Sequence, residues 1–175
     1  MFKRYSMAVV YLLATLPFVA FSNISYAQQT GCEGEADFEA FNFWLGEWDV
    51  TDITTGKLAG SNVIKQMEGG CMLLESWTSG SGGTGTSVNY YNPVRKEWRQ
   101  LWISQGRYSI DIAGGIKEGS MVLTGKIYNF AGGDADFRGT WTPAEDGSVR
   151  QFFEQYNDET ESWDAWFDGR YVRKQ

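Results

Sequence analysis

The chain has 175 residues, 42% hydrophobic and 16% aromatic, and its 15 basic residues against 22 acidic ones give a net charge of −7 with no histidine. An acidic balance argues against nucleic acid and anionic lipid headgroups as partners. The missing imidazole excludes a Ser-His-Asp triad, a Cys-His dyad and a His-ligated haem, and it takes from zinc its commonest nitrogen ligand.

Residues 1–27 read as an export signal. Lys3 and Arg4 form a basic start, Met7 to Phe21 is an apolar stretch interrupted by Thr15 and Pro17, and Ser25-Tyr26-Ala27 places cleavage after Ala27. A membrane anchor is the competing reading. The stretch is shorter than the roughly 20 residues a spanning helix needs, and Pro17 interrupts it, so no stable membrane anchor is expected. No cysteine follows directly, so lipid attachment is not expected either. Cleavage leaves 148 residues with 13 basic and 22 acidic side chains, a net charge of −9. That length suits one domain with a core of its own, destined for the periplasm or the medium.

Gln28 to Asp37 is polar and contains glycine, as a flexible arm would be, and residues 38–175 follow as a single barrel domain. A helical turn is predicted over Glu39–Leu45, with Phe38, Phe41 and Leu45 on one side and Gly46 as its stop. Cys32 and Cys71 are the only cysteines. In an exported chain two cysteines most simply pair. The bond would close a loop of about 40 residues, worth roughly 3–4 kcal/mol in the chain-entropy model. The other reading is two free thiols, one of them catalytic, with no histidine to activate the thiolate.

From Glu47 the hydrophobic period becomes two. Ten strands are predicted, at about 47–54, 58–67, 71–79, 85–91, 96–104, 107–113, 120–129, 135–142, 148–156 and 162–173, the last open to a break at Asp168-Gly169. Turn signals such as Thr55-Gly56, Asn92-Pro93, Glu118-Gly119 and Asp146-Gly147 separate them. Even spacing without a long crossover predicts an all-β fold, an antiparallel up-and-down β-barrel rather than a Greek-key sandwich. Glu97-Trp98 through Tyr108 and Ser162-Trp163 through Tyr171 echo one another, as two similar hairpins would. The glycine-rich segment Gly80 to Gly85 has no helix pattern after it and reads as a hairpin loop, not a phosphate loop. Asp134 and Asp136 beside Gly132-Gly133 read as an acidic turn, so no metal site is expected.

Strand alternation sorts the remaining side chains. Leu73, Glu75 and Trp77 share one face, as do Trp98, Gln100 and Trp102. Asp136, Arg138 and Thr140 lie opposite Phe137 and Trp141, and Gln151 and Phe153 lie opposite Arg150, Phe152 and Glu154. A face that mixes Trp with Gln or Glu suits a cavity wall holding a mostly apolar ligand by a few polar anchors. It also suits a barrel whose tryptophans fill it or cap its ends. The buried polar candidates are Glu75, Asn89, Gln100 and Arg138. A buried Glu75 must be paired or have a raised pKa, and Arg138 is its candidate partner unless either side chain reaches out at a barrel end.

The run Phe41-Asn42-Phe43-Trp44-Leu45-Gly46-Glu47-Trp48-Asp49-Val50 carries a resemblance, together with Gly70-Cys71-x-Leu73-x-Glu75-x-Trp77, Ser87-x-Asn89-x-Tyr91, Trp98-x-Gln100-x-Trp102 and Val149-Arg150-Gln151. Over roughly residues 38–174 the chain resembles a bacterial family of exported, lipocalin-like proteins of unknown function. The resemblance implies the barrel and no activity. A looser similarity is to nitrobindin-type barrels, whose haem is held through a histidine that this chain lacks.

The first expectation is an exported barrel that binds a small apolar or amphipathic molecule without a cofactor. Glu75, Trp77, Asn89, Trp98, Gln100, Trp102, Arg138 and Gln151 are its candidate ligand-binding residues. The second is a cofactor-free enzyme, an isomerase or cyclase, with Glu75 as acid or base and Tyr90 or Arg138 polarising the substrate. The third is an interaction module that works by its surface.

Overall fold

A computed structural model describes residues 31–174. The expected signal peptide at 1–27, with the first residues of the expected arm at 28–30, lies outside the described residues. A one-turn helix α1 (Ala36–Glu39) and a 3-10 turn (Asn42–Trp44) precede the strands. These are β1 (Gly46–Asp52), β2 (Leu58–Met67), β3 (Met72–Ser79), β4 (Thr84–Asn92), β5 (Glu97–Ser104), β6 (Tyr108–Lys117), β7 (Ser120–Asn129), β8 (Asp134–Pro143), β9 (Val149–Asn157) and β10 (Ser162–Arg173). Each strand pairs antiparallel with its neighbours in sequence, and β1 closes on β10, so the fold is the predicted up-and-down barrel.

Local chemistry accounts for most strand ends. Glu118 and Gly119 both take left-handed φ, 50° and 79°, between the paired residues Lys117 and Ser120. That is the two-residue hairpin whose twist matches its strands. The structure departs from the sequence reading at β6 and at the echoed segments, and it keeps the strand expected at 162–173 whole. β6 runs on to Lys117, past the expected end at 113, because Gly114 stays in the ladder opposite Leu123. A Cβ there would meet the Val122 carbonyl oxygen at 2.2 Å, so glycine permits the close strand contact instead of ending the strand. β10 is continuous through Asp168-Gly169; its irregularity is a bulge between Ala165 and Phe167. Consequently the two echoed segments are not both hairpins: the first wraps the β5–β6 turn, and the second lies within β10.

The expected helical turn comes as two short pieces, α1 and the 3-10 turn, which together plug one end of the barrel. Phe41 and Trp44 are fully buried and stack at 5.0 Å. Phe41 meets Trp98 and Trp141 edge-on at 5.5 and 5.2 Å. Trp98 Nε1 donates to the Asp37 carbonyl oxygen at 2.9 Å, and Trp48 Nε1 to the Trp44 carbonyl oxygen at 3.0 Å. The Cys32–Cys71 disulfide and a 2.7 Å hydrogen bond from Cys32 N to Gly69 O tie the incoming chain to the β2–β3 hairpin at this same end.

Outside the barrel, cross-strand ion pairs link adjacent strands. Arg99 meets Asp111 at 2.6 Å, Arg138 meets Glu154 at 2.7 Å and Arg150 meets Asp168 at 2.8 Å. Lys126 of β7 bridges Asp134 and Asp136 of β8 at 2.9 and 2.8 Å, so the acidic pair is held by a lysine of the neighbouring strand.

Candidate functional site

Strand alternation in β3 sends Leu73, Glu75 and Trp77 inward, in that order from the plugged end toward the other. β4 does the same with Ser87 and Asn89, and β5 with Trp98, Gln100 and Trp102. The result is a polar layer above the aromatic plug. Asn62 Nδ2 donates to Glu75 Oε1 at 2.7 Å, and Ser87 Oγ to Glu75 Oε2 at 2.6 Å. Asn89 Nδ2 donates to Ser87 Oγ at 2.8 Å, and Gln100 Nε2 to Asn89 Oδ1 at 2.9 Å. Across the barrel, Asn62 Nδ2 also reaches the Tyr171 hydroxyl at 3.3 Å, and that hydroxyl donates to Gln151.

Glu75 is 3% exposed, and no basic side chain touches it among the hydrogen bonds and ion pairs of the described residues. Burial pushes its pKa up to about 7, against the downward pull of the Ser87 and Asn62 hydrogen bonds. Tyr171 is pushed well above the usual phenol range, by burial first and by the neighbouring Glu75 charge second.

Beyond this layer lies a cavity of about 140 Å³. Glu75, Gln100, Gln151 and Tyr171 line its polar part, and Ile110 and Phe153 its inner wall. Trp77, Trp102, Tyr108, Trp166 and Phe167 form its aromatic sides. Trp166 is 41% exposed, so the cavity runs from the buried carboxylate to the end of the barrel opposite the plug. Two local features make room for these rings. Gly85 lies under Trp102, where a Cβ would come within 2.1 Å of the indole. The β10 bulge places Trp166 as an extra residue between two paired positions, so that Trp166 and its neighbour Phe167 both line the cavity. Trp102 Nε1 is buried without a hydrogen-bond partner among the described residues.

The structure brings together five of the eight sequence-predicted ligand-binding residues: Glu75, Trp77, Gln100, Trp102 and Gln151 line the cavity. Asn89 sits one layer deeper and bonds Gln100. Trp98 belongs to the plug, packed on Phe41 and Tyr91. Arg138 is a correction. It lies on the outer face of β8, held by Glu154 through two hydrogen bonds of 2.7 and 2.8 Å and stacked 4.5 Å over Trp163. The buried Glu75–Arg138 pair therefore does not form, because the inward positions of β8 belong to Phe137, Gly139 and Trp141. Tyr90 is likewise outside: Asn89 takes the inward position, and adjacent strand residues face opposite ways.

Asn62, Ser87, Tyr108, Ile110, Phe153, Trp166, Phe167 and Tyr171 belong to the site without having been among the sequence candidates. Alternation alone places Asn62 with the buried Ile64, so that signal was present. Trp166 had none, since its place depends on the bulge. No family model matches the chain, and a search of the curated proteins finds no match to it.

Proposed function

We propose that this protein is an exported barrel that binds a small, largely apolar molecule, with the aromatic cavity around its body and Glu75 at its polar end. The observation that carries the reading is a half-enclosed cavity with aromatic sides and a single hydrogen-bonded carboxylate at its base. An apolar cavity of about 150 Å³ takes one benzene ring, so the enclosed part of the ligand is about one ring and any remainder extends past Trp166 to the mouth. Export is supported by the apolar leader at residues 1–27 and by the Cys32–Cys71 disulfide. The resemblance of the sequence to exported lipocalin-like proteins agrees with the same reading. Native mass spectrometry of the mature chain from its exporting host is the test. A stoichiometric small adduct that leaves on denaturation is expected. A bare chain whose tryptophan emission no small aromatic or aliphatic compound perturbs would overturn the reading.

A second reading, an acid–base enzyme without a cofactor, is favoured by one observation: a cavity carboxylate whose pKa near 7 lets it both take and give a proton at neutral pH. In that reading Gln100 and Tyr171 replace Tyr90 and Arg138 as the groups facing the substrate. Conversion of a bound compound by the wild type but not by Glu75→Gln would separate it from simple binding.

A further inference from the structure

Glu75 is a buried carboxylate that no cationic side chain meets among the described residues. Among the described residues the cavity is lined by no lysine, no arginine and no second carboxylate; Tyr108 and Tyr171 are the other ionisable groups facing it. The side chains that reach Glu75 are neutral donors, Asn62 from β2 and Ser87 from β4. The strand arginines are engaged elsewhere: Arg99, Arg138, Arg150 and Arg170 pair with Asp111, Glu154, Asp168 and Asp146, and Arg173 donates to the Leu45 carbonyl oxygen and stacks on Trp48.

Acceptors are in surplus at this point. Each Glu75 oxygen receives one hydrogen bond, while an ionised carboxylate offers about four acceptor sites. Asn62 Oδ1, alongside, is buried and has no donor partner among the described residues. Between Glu75 and the mouth the walls are the π-systems of Trp77, Trp102, Tyr108 and Trp166. Aromatic walls attract a desolvated cation, and a buried anion left unpaired is costly. The unpaired carboxylate is met by one kind of guest, which carries a positive charge and N–H donors together.

We propose that the cavity takes a protonated primary or secondary amine with an apolar body of about one ring, its ammonium group seated on Glu75. The proposal rests on the binding-barrel reading and narrows its ligand class. It excludes fatty acids and other carboxylates, whose head group would be driven against Glu75 with no arginine or lysine between them.

Three compounds of matched shape test it on the full mature chain at neutral pH: phenethylamine, 2-phenylethanol and phenylacetate, followed by calorimetry and tryptophan emission. The amine is expected to bind at least about tenfold tighter than the alcohol, an ordinary gain for a desolvated charge pair with cation–π support, and phenylacetate is expected not to bind. Glu75→Gln is expected to remove the preference for the amine, bringing amine and alcohol to equal affinity in that variant. Should that variant fail to unfold cooperatively, the wild-type ratio of amine to alcohol decides alone. Equal binding of amine and alcohol, or preferred binding of phenylacetate, overturns the amine proposal and leaves the binding barrel standing. No binding by any of the three up to millimolar concentration overturns the amine proposal, and the binding barrel falls with it only if native mass spectrometry also returns a bare chain.

Discussion

At the scale of single residues, Glu75 sets the electrostatics of the interior. Its folded pKa of about 7 lies above its ordinary value of 4.5, so between those limits the native state holds a proton that the unfolded chain has released. Stability from this group is therefore fully present at low pH and is lost as pH rises toward 7. A shift of this size corresponds to a change on the order of 3 kcal/mol. Glu75→Gln keeps the shape and abolishes the titration. Urea unfolding of both proteins from pH 5 to pH 8 is expected to show the wild type losing stability relative to the variant across that range. A constant difference would mean that Glu75 is not desolvated as described. A bound amine is expected to flatten the wild-type loss, because it stabilises the ionised carboxylate.

At the scale of elements, the N-terminal segment plugs the barrel by two means. One is covalent, the Cys32–Cys71 bond spanning 39 residues of sequence. The other is burial of Phe38, Phe41 and Trp44. The paired substitution Cys32→Ser with Cys71→Ser is expected to lower stability by about 2–4 kcal/mol, chiefly by freeing the unfolded chain. Because Phe41 stays stacked among Trp44, Trp98 and Trp141, the near-ultraviolet circular dichroism of the folded variant is expected to remain native-like. Loss of that signal along with the disulfide would show that the aromatic packing depends on the covalent tie.

At the scale of the whole molecule, closure separates two populations of charged and polar groups. Among the described residues the inner one is neutral but for Glu75, and the outer one includes a set of cross-strand ion pairs. Arg138 belongs to the second, with its side chain 34% exposed and its partner Glu154 at 2.7 Å. Exposed pairs contribute about 0–1 kcal/mol. Arg138→Ala is therefore expected to change stability by less than about 1 kcal/mol and to leave binding of any cavity ligand unaltered by calorimetry. A loss of binding comparable to that of Glu75→Gln would put Arg138 in the site, against the register of β8.

Much of this barrel was legible because its information is local. Period-two alternation and hairpin turn residues depend on neighbours in sequence, and they placed the strands within a few residues and put Glu75 with Trp77 and Gln100 with Trp102. Alternation divides a strand into two faces without saying which is inside, so Arg138 was read as buried although Phe137 and Trp141 hold the inward positions. Asn89 and Tyr90 were both candidates although adjacent residues cannot share a face. The sequence by itself determined the strands, their turns and the absence of imidazole chemistry. Only the tertiary structure decided that β1 closes on β10, that a bulge adds Trp166 to the cavity wall, and that Asn62, Ser87 and Tyr171 gather around one carboxylate. The reason is physical: these contacts join residues as far apart in sequence as Trp48 and Arg173, and their geometry is fixed by ladder register and closure, which no local stretch of chain encodes.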